Sequence, residues 1–232
     1  MLNPSPKEIL HQYWGYDEFR PLQEDIIRSI YEGKDTLALL PTGGGKSVCF
    51  QVPALMMPGI CIVVSPLIAL MKDQVDNLKK REIPALLIHT GMNYSEIRDT
   101  LQKAISDDYK FLYCSPERLQ SRLFKEYLPA MQISFIAVDE AHCISQWGFD
   151  FRPAYRNISS IREEKNKVNI LALTASATHE VQMDIRKQLG FLNENVFTKS
   201  FSRANLSYSV LETDSKIPRL LEIINKLQGS GI

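Results

Sequence analysis

Short apolar runs rich in β-branched residues recur along the chain, at 36–40, 60–64, 85–88, 111–114, 133–138 and 170–173. Each has the length of a strand buried on both faces. The longer stretches between them carry apolar residues at helical spacing. Leu67, Leu70, Met71, Gln74, Val75 and Leu78 fall on one helical face, and Ile97, Leu101 and Ile105 repeat in the same way. This alternation predicts right-handed βαβ units and a mostly parallel sheet covered by helices on both faces, an α/β fold. Near 198–206 the pattern changes. A connecting segment, FSRANL, leads to an alternating run at 208–212, then a helix-like stretch at 216–227, and the sequence stops after Gly-Ser-Gly-Ile.

The exits of the predicted strands carry the chemistry. Five runs end in polar groups: LALL into PTGGGKS, CIVV into SPL, FLYC into SPE, FIAV into DEAH, and ILAL into TASAT. In an open parallel sheet, ligands bind beyond the carboxyl ends of the strands, so these exits are expected to line one site.

Thr42, Gly43, Gly44, Gly45, Lys46 and Ser47 stand between a strand and a helix, the context of a phosphate-binding loop. Glycines let backbone N–H groups approach phosphates, and the helix N-terminus adds partial positive charge. Lys46 is placed to reach the β- and γ-phosphates, and the Ser47 hydroxyl to bind Mg²⁺. Leu40 occupies the position of the first glycine in the strict GxxxxGK[ST] pattern; the alternative is a flexible glycine turn with an exposed lysine. Asp139 can hold Mg²⁺ opposite Ser47, and Glu140 can orient and deprotonate a water; carboxylates at a strand end also serve as helix caps. His142 is either part of this site or a packed histidine. Thr174, Ser176 and Thr178 can link the site to its neighbours by hydrogen bonds, or cap a helix starting near His179. After the carboxylates, Trp147, Phe149, Phe151 and Tyr155 interleave with Arg152 and Arg156, a composition suited to stacked bases. The alternative is that some of these rings fill core, Phe149 and Tyr155 foremost.

Composition narrows the classes. With 232 residues, 44% hydrophobic and 23% charged, the chain holds one large domain, or one domain and part of another, with a proper core. Lys+Arg and Asp+Glu balance at 27 each, so any nucleic-acid contact comes from a local groove. The longest apolar stretch, 60–71, is interrupted by Ser65-Pro66 and too short to span a bilayer, and no basic-then-apolar leader opens the sequence. Cys49, Cys61, Cys114 and Cys143 form no CxxC pair, so neither zinc nor a disulfide framework is expected, and Cys61 and Cys114 read as reduced, buried thiols. A soluble intracellular protein without a membrane partner is expected.

In this order, YDEFRPLQ at 16–23, PTGGGKS, SPLIALMKDQV, SPERL, DEAHCISQWGFDFRP and ALTASAT resemble the superfamily 2 helicases, and specifically the RecQ family of DNA helicases, over nearly all of residues 7–206. The resemblance implies a RecA-like P-loop NTPase domain at 1–206, with 207–232 as a linker and the first helix of a second such domain. It implies ATP and Mg²⁺ as cofactors, and single-stranded DNA and duplex/single-strand junctions as partners; protein partners are not read from the residues. It also implies 3′-to-5′ unwinding in DNA repair and recombination, in the bacterial cytoplasm at the nucleoid or in a eukaryotic nucleus. Tyr16, Arg20 and Gln23 match adenine-recognition positions, although the residues alone read as a helix start at Pro21 with Gln23 exposed. Ser65 and Ser115, each before a proline suited to a helix start, match motifs that grip single-stranded DNA; simple caps are the alternative. Trp147, Phe151 and Arg152 match the loop coupling DNA binding to hydrolysis. Two positions depart from the family: Phe149 where a polar residue, often histidine, is usual, and Ser176 where threonine is usual. In such helicases a second domain supplies an arginine finger, so this chain is expected to bind ATP–Mg²⁺ weakly and neither hydrolyse it efficiently nor unwind duplex. A competing reading is a truncated nucleotide- and DNA-binding module without motor activity. A small-molecule kinase leaves SPL, SPE and QWGFDFRP without a role.

Overall fold

A computed structural model describes residues 4–106, 108–148, 150–165, 168–192, 195–200, 206–207 and 209–226. The chain divides into two compact units, Met1–Ser200 and Phe201–Ile232. The first is built on a seven-stranded parallel sheet: β1 (Thr36–Leu39), β2 (Ile60–Val64), β3 (Ala85–Ile88), β4 (Phe111–Cys114), β5 (Ile133–Val138), β6 (Ile170–Thr174) and β7 (Asn195–Thr198), in the order β3-β4-β2-β5-β6-β1-β7. Every recorded pairing is parallel. The six apolar runs of the sequence are β1 to β6. β7 is not among the runs read from the sequence; its residues, half-buried but for the exposed Thr198, pair beside β1 at the sheet edge.

Both faces of the sheet are covered. One is packed by α2 (Gln23–Tyr31), α3 (Lys46–Met56) and α4 (Ile68–Lys79), whose Ile26, Ile30, Phe50, Met71, Val75 and Leu78 meet Ala38, Val63, Phe111 and Phe135. The other is packed by α5 (Tyr94–Ala104), α6 (Arg122–Tyr127), α7 (Ile158–Glu164) and α8 (His179–Gln188), through Ile97, Leu101, Phe124, Ile161 and Ile185. Alternate residues of each buried strand serve the two layers, which is why the strands read as continuous apolar runs. α1 (Pro6–Trp14) begins with a capping box from Ser5 and Glu8 and lays Ile9 against Ile27 and Val52.

Two helical faces differ from expectation. α4 starts at Ile68, so Leu67 and Leu70 are exposed while Met71, Val75 and Leu78 are buried. Ile105 lies just past the end of α5 and is exposed, unlike Ile97 and Leu101. All four cysteines are unpaired and buried, and burial pushes the thiols of Cys49 and Cys143 up to about 12. No described helix is long and apolar enough to cross a membrane. In the second unit, α9 (Lys216–Lys226) covers the described part of the expected helix. Residues 209–212 form no strand, and Tyr208, most of FSRANL and the terminal Gly-Ser-Gly-Ile lie outside the described residues.

Candidate active site

The strand order explains why five exits converge. Read along the carboxyl edge, β4, β2, β5, β6 and β1 stand side by side, so Ser115, Ser65, Asp139, Thr174 and the glycine loop follow one another. Asp139 is the middle member. Strand β5 delivers it between β2 and β6, and its N–H donates to Val64 O at 2.8 Å.

The glycine loop leaves β1 and turns into α3. Gly43 and Gly45 sit at φ +75° and +80°, left-handed backbone that glycine adopts without strain. A side chain at Gly45 would stand 2.3 Å from Gln23 Nε2, and one at Gly44 would stand 2.7 Å from Pro41 O. Thr42 is exposed at the loop crest, and Lys46 and Ser47 open α3. Lys46 Nζ lies 3.8 Å from Glu140 Oε1, so the two opposite charges face each other without closing a tight pair.

Glu140 takes a left-handed backbone, φ 47°, which a non-glycine residue adopts at a cost of about 1–2 kcal/mol. The turn sends its carboxylate toward Lys46 on one side and His142 on the other, with His142 Nδ1 3.3 Å away. His142 Nδ1 also shares a hydrogen bond with Thr174 Oγ1 at 3.0 Å, and Thr174, fully buried, accepts from Ser176 N at 3.2 Å. Thr174 and His142 therefore join β6 to the carboxylates. Ser176 is exposed, and its contribution to this link is its backbone. Thr178 caps α8 by accepting from Val181 N and makes no recorded contact with His142 or Glu140.

Burial raises the Asp139 carboxyl above the usual carboxylate range, and the Glu140 charge adds to this. Lys46, the Glu140 N–H and the Ser65 hydroxyl oppose the shift. Asp139 and Ser47 offer two oxygen donors, and no group of three or more His, Cys, Asp or Glu suited to a metal occurs among the described residues. That sparse donor set suits Mg²⁺, which takes most of its ligands from phosphate and water.

On the adenine side, Gln23 is buried at the start of α2, not exposed as the residues alone suggested. Its Oε1 accepts from Arg20 N at 2.9 Å, and its Nε2 donates to Gly45 O at 3.0 Å. The Arg20 guanidinium donates to Gly43 O. Tyr16 is exposed, and a cavity of about 260 Å³ beside the loop is lined by Trp14, Tyr16, Arg20, Gln23, Gly45 and Val48. Trp14 and Val48, both apolar, carry no functional signal in the sequence.

At the other end of the edge, the expected roles of Ser65 and Ser115 change in detail. Both side chains are buried. Ser65 Oγ donates to Asp139 Oδ2 at 3.3 Å, and Pro66 does not open α4, which starts two residues later. Pro116 does open a short 3₁₀ turn, yet the Ser115 hydroxyl does not cap it and has no hydrogen-bond partner among the described residues. Groove contacts at these two exits would thus fall to backbone groups. Trp147 is 76% exposed. Phe151 is half-buried, with the Arg156 guanidinium carbon 5.1 Å from its ring centre. Arg152 is held by Asp150 at 3.0 and 3.1 Å and donates to Pro66 O at 3.3 Å. Tyr155 is core, and its hydroxyl donates to Asp139 O at 2.9 Å. Phe149 lies outside the described residues.

Known proteins share these features. The DEAD/DEAH box helicase family matches residues 20–184. An ATP-dependent DNA helicase RecQ of Bacillus subtilis (strain 168) is 47% identical over 212 residues, 90% of this chain and 36% of that protein. A probable ATP-dependent DNA helicase RecS of the same organism is 43% identical, covering 97% of this chain and 46% of its own length. The chain thus spans less than half of either relative. Among solved structures, the DEAD-box helicase Mss116 bound to ssRNA and UDP-BeF superposes with a TM-score of 0.65 at 20% identity, over 82% of this chain and 42% of that one. The DUF1998 helicase MrfA bound to DNA gives 0.66 at 15% identity, over 83% and 28%. These two likenesses speak to the fold, a RecA-like α/β domain.

Proposed function

Because the chain belongs to the DEAD/DEAH box helicase family, as an N-terminal RecA-like domain of its RecQ branch, we propose that it is the ATP-binding motor domain of a 3′-to-5′ DNA helicase. The observation that carries this reading is that the exits of β1 and β5, which flank β6, bring Lys46 to 3.8 Å from Glu140, with Ser47 and Asp139 the residues beside them. Lys46 binds the β- and γ-phosphates, and the loop N–H groups cradle them. Ser47 and Asp139 hold Mg²⁺, which neutralises charge on the phosphate oxygens. Glu140 orients and deprotonates the attacking water, with His142 and Thr174 fixing its direction. Tyr16 stacks on adenine while Arg20 and Gln23 fix its edge. Single-stranded DNA and duplex/single-strand junctions run along the β5-β2-β4 end, against Trp147, Phe151 and Arg152 and the backbone at Ser65 and Ser115.

The names of the RecQ and RecS relatives, both ATP-dependent DNA helicases, support this substrate class. We further propose a role in DNA repair and recombination, in the cytoplasm at the nucleoid or in a nucleus. Residues 1–206 form the first motor domain, and 207–232 the linker and first helix of a second. A transition-state arginine is worth about 10³–10⁵ in rate. Among the described residues, no arginine is recorded at Glu140, where Lys46 and His142 stand, so this chain by itself is proposed to bind ATP–Mg²⁺ but turn it over slowly.

Binding of a fluorescent ATP analogue, and DNA-stimulated hydrolysis with a second RecA-like domain attached, test the reading. Lys46→Ala is expected to weaken binding more than about tenfold. Glu140→Gln is expected to keep binding while lowering hydrolysis by about 10²–10⁴-fold. Turnover retained in Glu140→Gln would remove Glu140 as the base.

A further inference from the structure

A half-buried chain of hydrogen bonds reaches Ser47 from the α4 side of the glycine loop. Gln74 Nε2 donates to Ser47 Oγ at 2.8 Å. The other end of the same amide, Oε1, accepts from Gln51 Nε2 at 3.1 Å and from the Tyr113 hydroxyl at 3.3 Å. Gln51 lies in α3, Gln74 in α4 and Tyr113 in β4, so three elements of one layer meet at this amide. Gln51 and Tyr113 are almost wholly buried, and Met71, Val75 and Leu78 pin the flank of α4 from which Gln74 projects.

The direction of these bonds matters. An amide has a donor end and an acceptor end of nearly the same size. Gln51 Nε2 and the Tyr113 hydroxyl both meet the Oε1 end of Gln74, and Gln51 Nε2 also reaches the Tyr113 hydroxyl at 3.4 Å. In this arrangement the NH₂ end of Gln74 faces Ser47. A hydroxyl has one proton and two lone pairs. With one lone pair of Ser47 accepting from Gln74, its proton is directed away from Gln74, and the second lone pair remains for a cation. Were the amide reversed, Ser47 would donate its proton into Gln74, and the oxygen would lose its orientation toward the phosphate side.

We infer that Gln74 is a positioning residue for the Mg²⁺-binding hydroxyl: through Gln51 and Tyr113 it sets which way the Ser47 proton points, and so prepares Ser47 for a nucleotide–Mg²⁺ complex in preference to the nucleotide alone. This rests on the reading of the glycine loop as an ATP site. Gln74 is half-buried in a cavity shared with Ser47 and Gln51, and its polar ends are used in opposite senses. Gln74 also ties Ser47 to the helix that follows the Ser65–Pro66 exit, whose Pro66 carbonyl accepts from Arg152.

The test is the affinity of the chain for a fluorescent ATP analogue, measured with Mg²⁺ and again in EDTA. In the unaltered chain Mg²⁺ is expected to strengthen binding. Gln74→Leu is expected to lower that Mg²⁺-dependent gain by about 3- to 10-fold, the range for one neutral hydrogen bond, while affinity in EDTA stays unchanged. Tyr113→Phe, which removes one hydroxyl and keeps the ring, is expected to act in the same direction and less strongly, should Gln74→Leu fold poorly. In a Ser47→Ala background, Gln74→Leu is expected to cost nothing further. Equal weakening with and without Mg²⁺, or additive loss in the double variant, would assign Gln74 to packing and overturn the inference. No binding by the unaltered chain in either condition would instead overturn the ATP-site reading, and this inference with it.

Discussion

Two aspartates stand at opposite edges of the sheet, Asp35 buried and Asp139 half-buried, and their surroundings differ sharply. At the amino edge, Asp35 precedes β1 and uses both carboxylate oxygens on close partners. Oδ2 accepts from Arg162 Nη2 at 2.8 Å and from Leu192 N at 2.9 Å, and Oδ1 accepts from Ile170 N at 3.0 Å. Nearby, Asn169 Nδ2 donates to Ile30 O, and Arg162 reaches Gly190 O. At the carboxyl edge, Asp139 has a longer bond from Ser65, a bond from the next residue's N–H, and a second carboxylate as its neighbour. One edge joins α2, α7, β6 and the end of α8 through a charge whose needs are met. The other keeps a charge partly unmet where a cation and phosphates are proposed to bind. A buried ion pair is strongly destabilising to break, whereas a perturbed carboxylate in a cleft marks chemistry. The same residue type thus serves stability at one end of the strands and function at the other.

Breaking the amino-edge network should give the largest effect. Asp35→Ala removes the buried partner of the half-buried Arg162 and leaves two N–H groups unpaired, and is expected to cost about 3–5 kcal/mol in urea unfolding. A loss below about 1 kcal/mol would show that the two edges are not so different. Trp147→Ala should do the reverse. Its ring is exposed, so stability is expected to change by less than about 0.5 kcal/mol. Affinity for single-stranded DNA in a polarisation assay is expected to fall by about 1–3 kcal/mol. A large loss of stability would return this ring to the core. The smallest effect sharpens the comparison most. Because the Asp139 pKa is raised in the folded chain, its contribution to stability is fully present below the unfolded pKa and lost as pH rises through the folded value. Asp139→Asn never ionises, so its melting temperature should exceed that of the unaltered chain at pH 7. The difference should close as pH falls below the ordinary carboxylate range. A variant less stable at pH 7 would contradict that sign.

How far the sequence revealed each edge follows from the kind of signal involved. The carboxyl edge is legible because its residues interrupt strong apolar runs: PTGGGKS, DEAH and TASAT stand out as polar chemistry where a strand should end. Asp35 is silent, since one acidic residue between a helix and a strand looks like any turn, and its partners Arg162 and Leu192 are far along the chain. Strand β7 was missed because Asn195–Thr198 is short, half-buried and mixed in polarity, so only its pairing with β1 makes it a strand. The inward turn of Ser65 was hidden as well. Ser-Pro suggested a helix start, but Leu67 stays extended and the helix begins at Ile68. Gln74 was visible as a member of a helical face, though its partners 23 and 39 positions away were not.

Tyr155 gives the aromatic segment a mechanical property. Its hydroxyl donates to the carbonyl of Asp139, and the Arg152 N–H donates to Cys143 O at 2.8 Å, so the chain that follows Trp147 is fastened twice to the chain that precedes it. The first fastening lies on the backbone one residue before Glu140, so the far end of the aromatic segment and the carboxylates share one anchor.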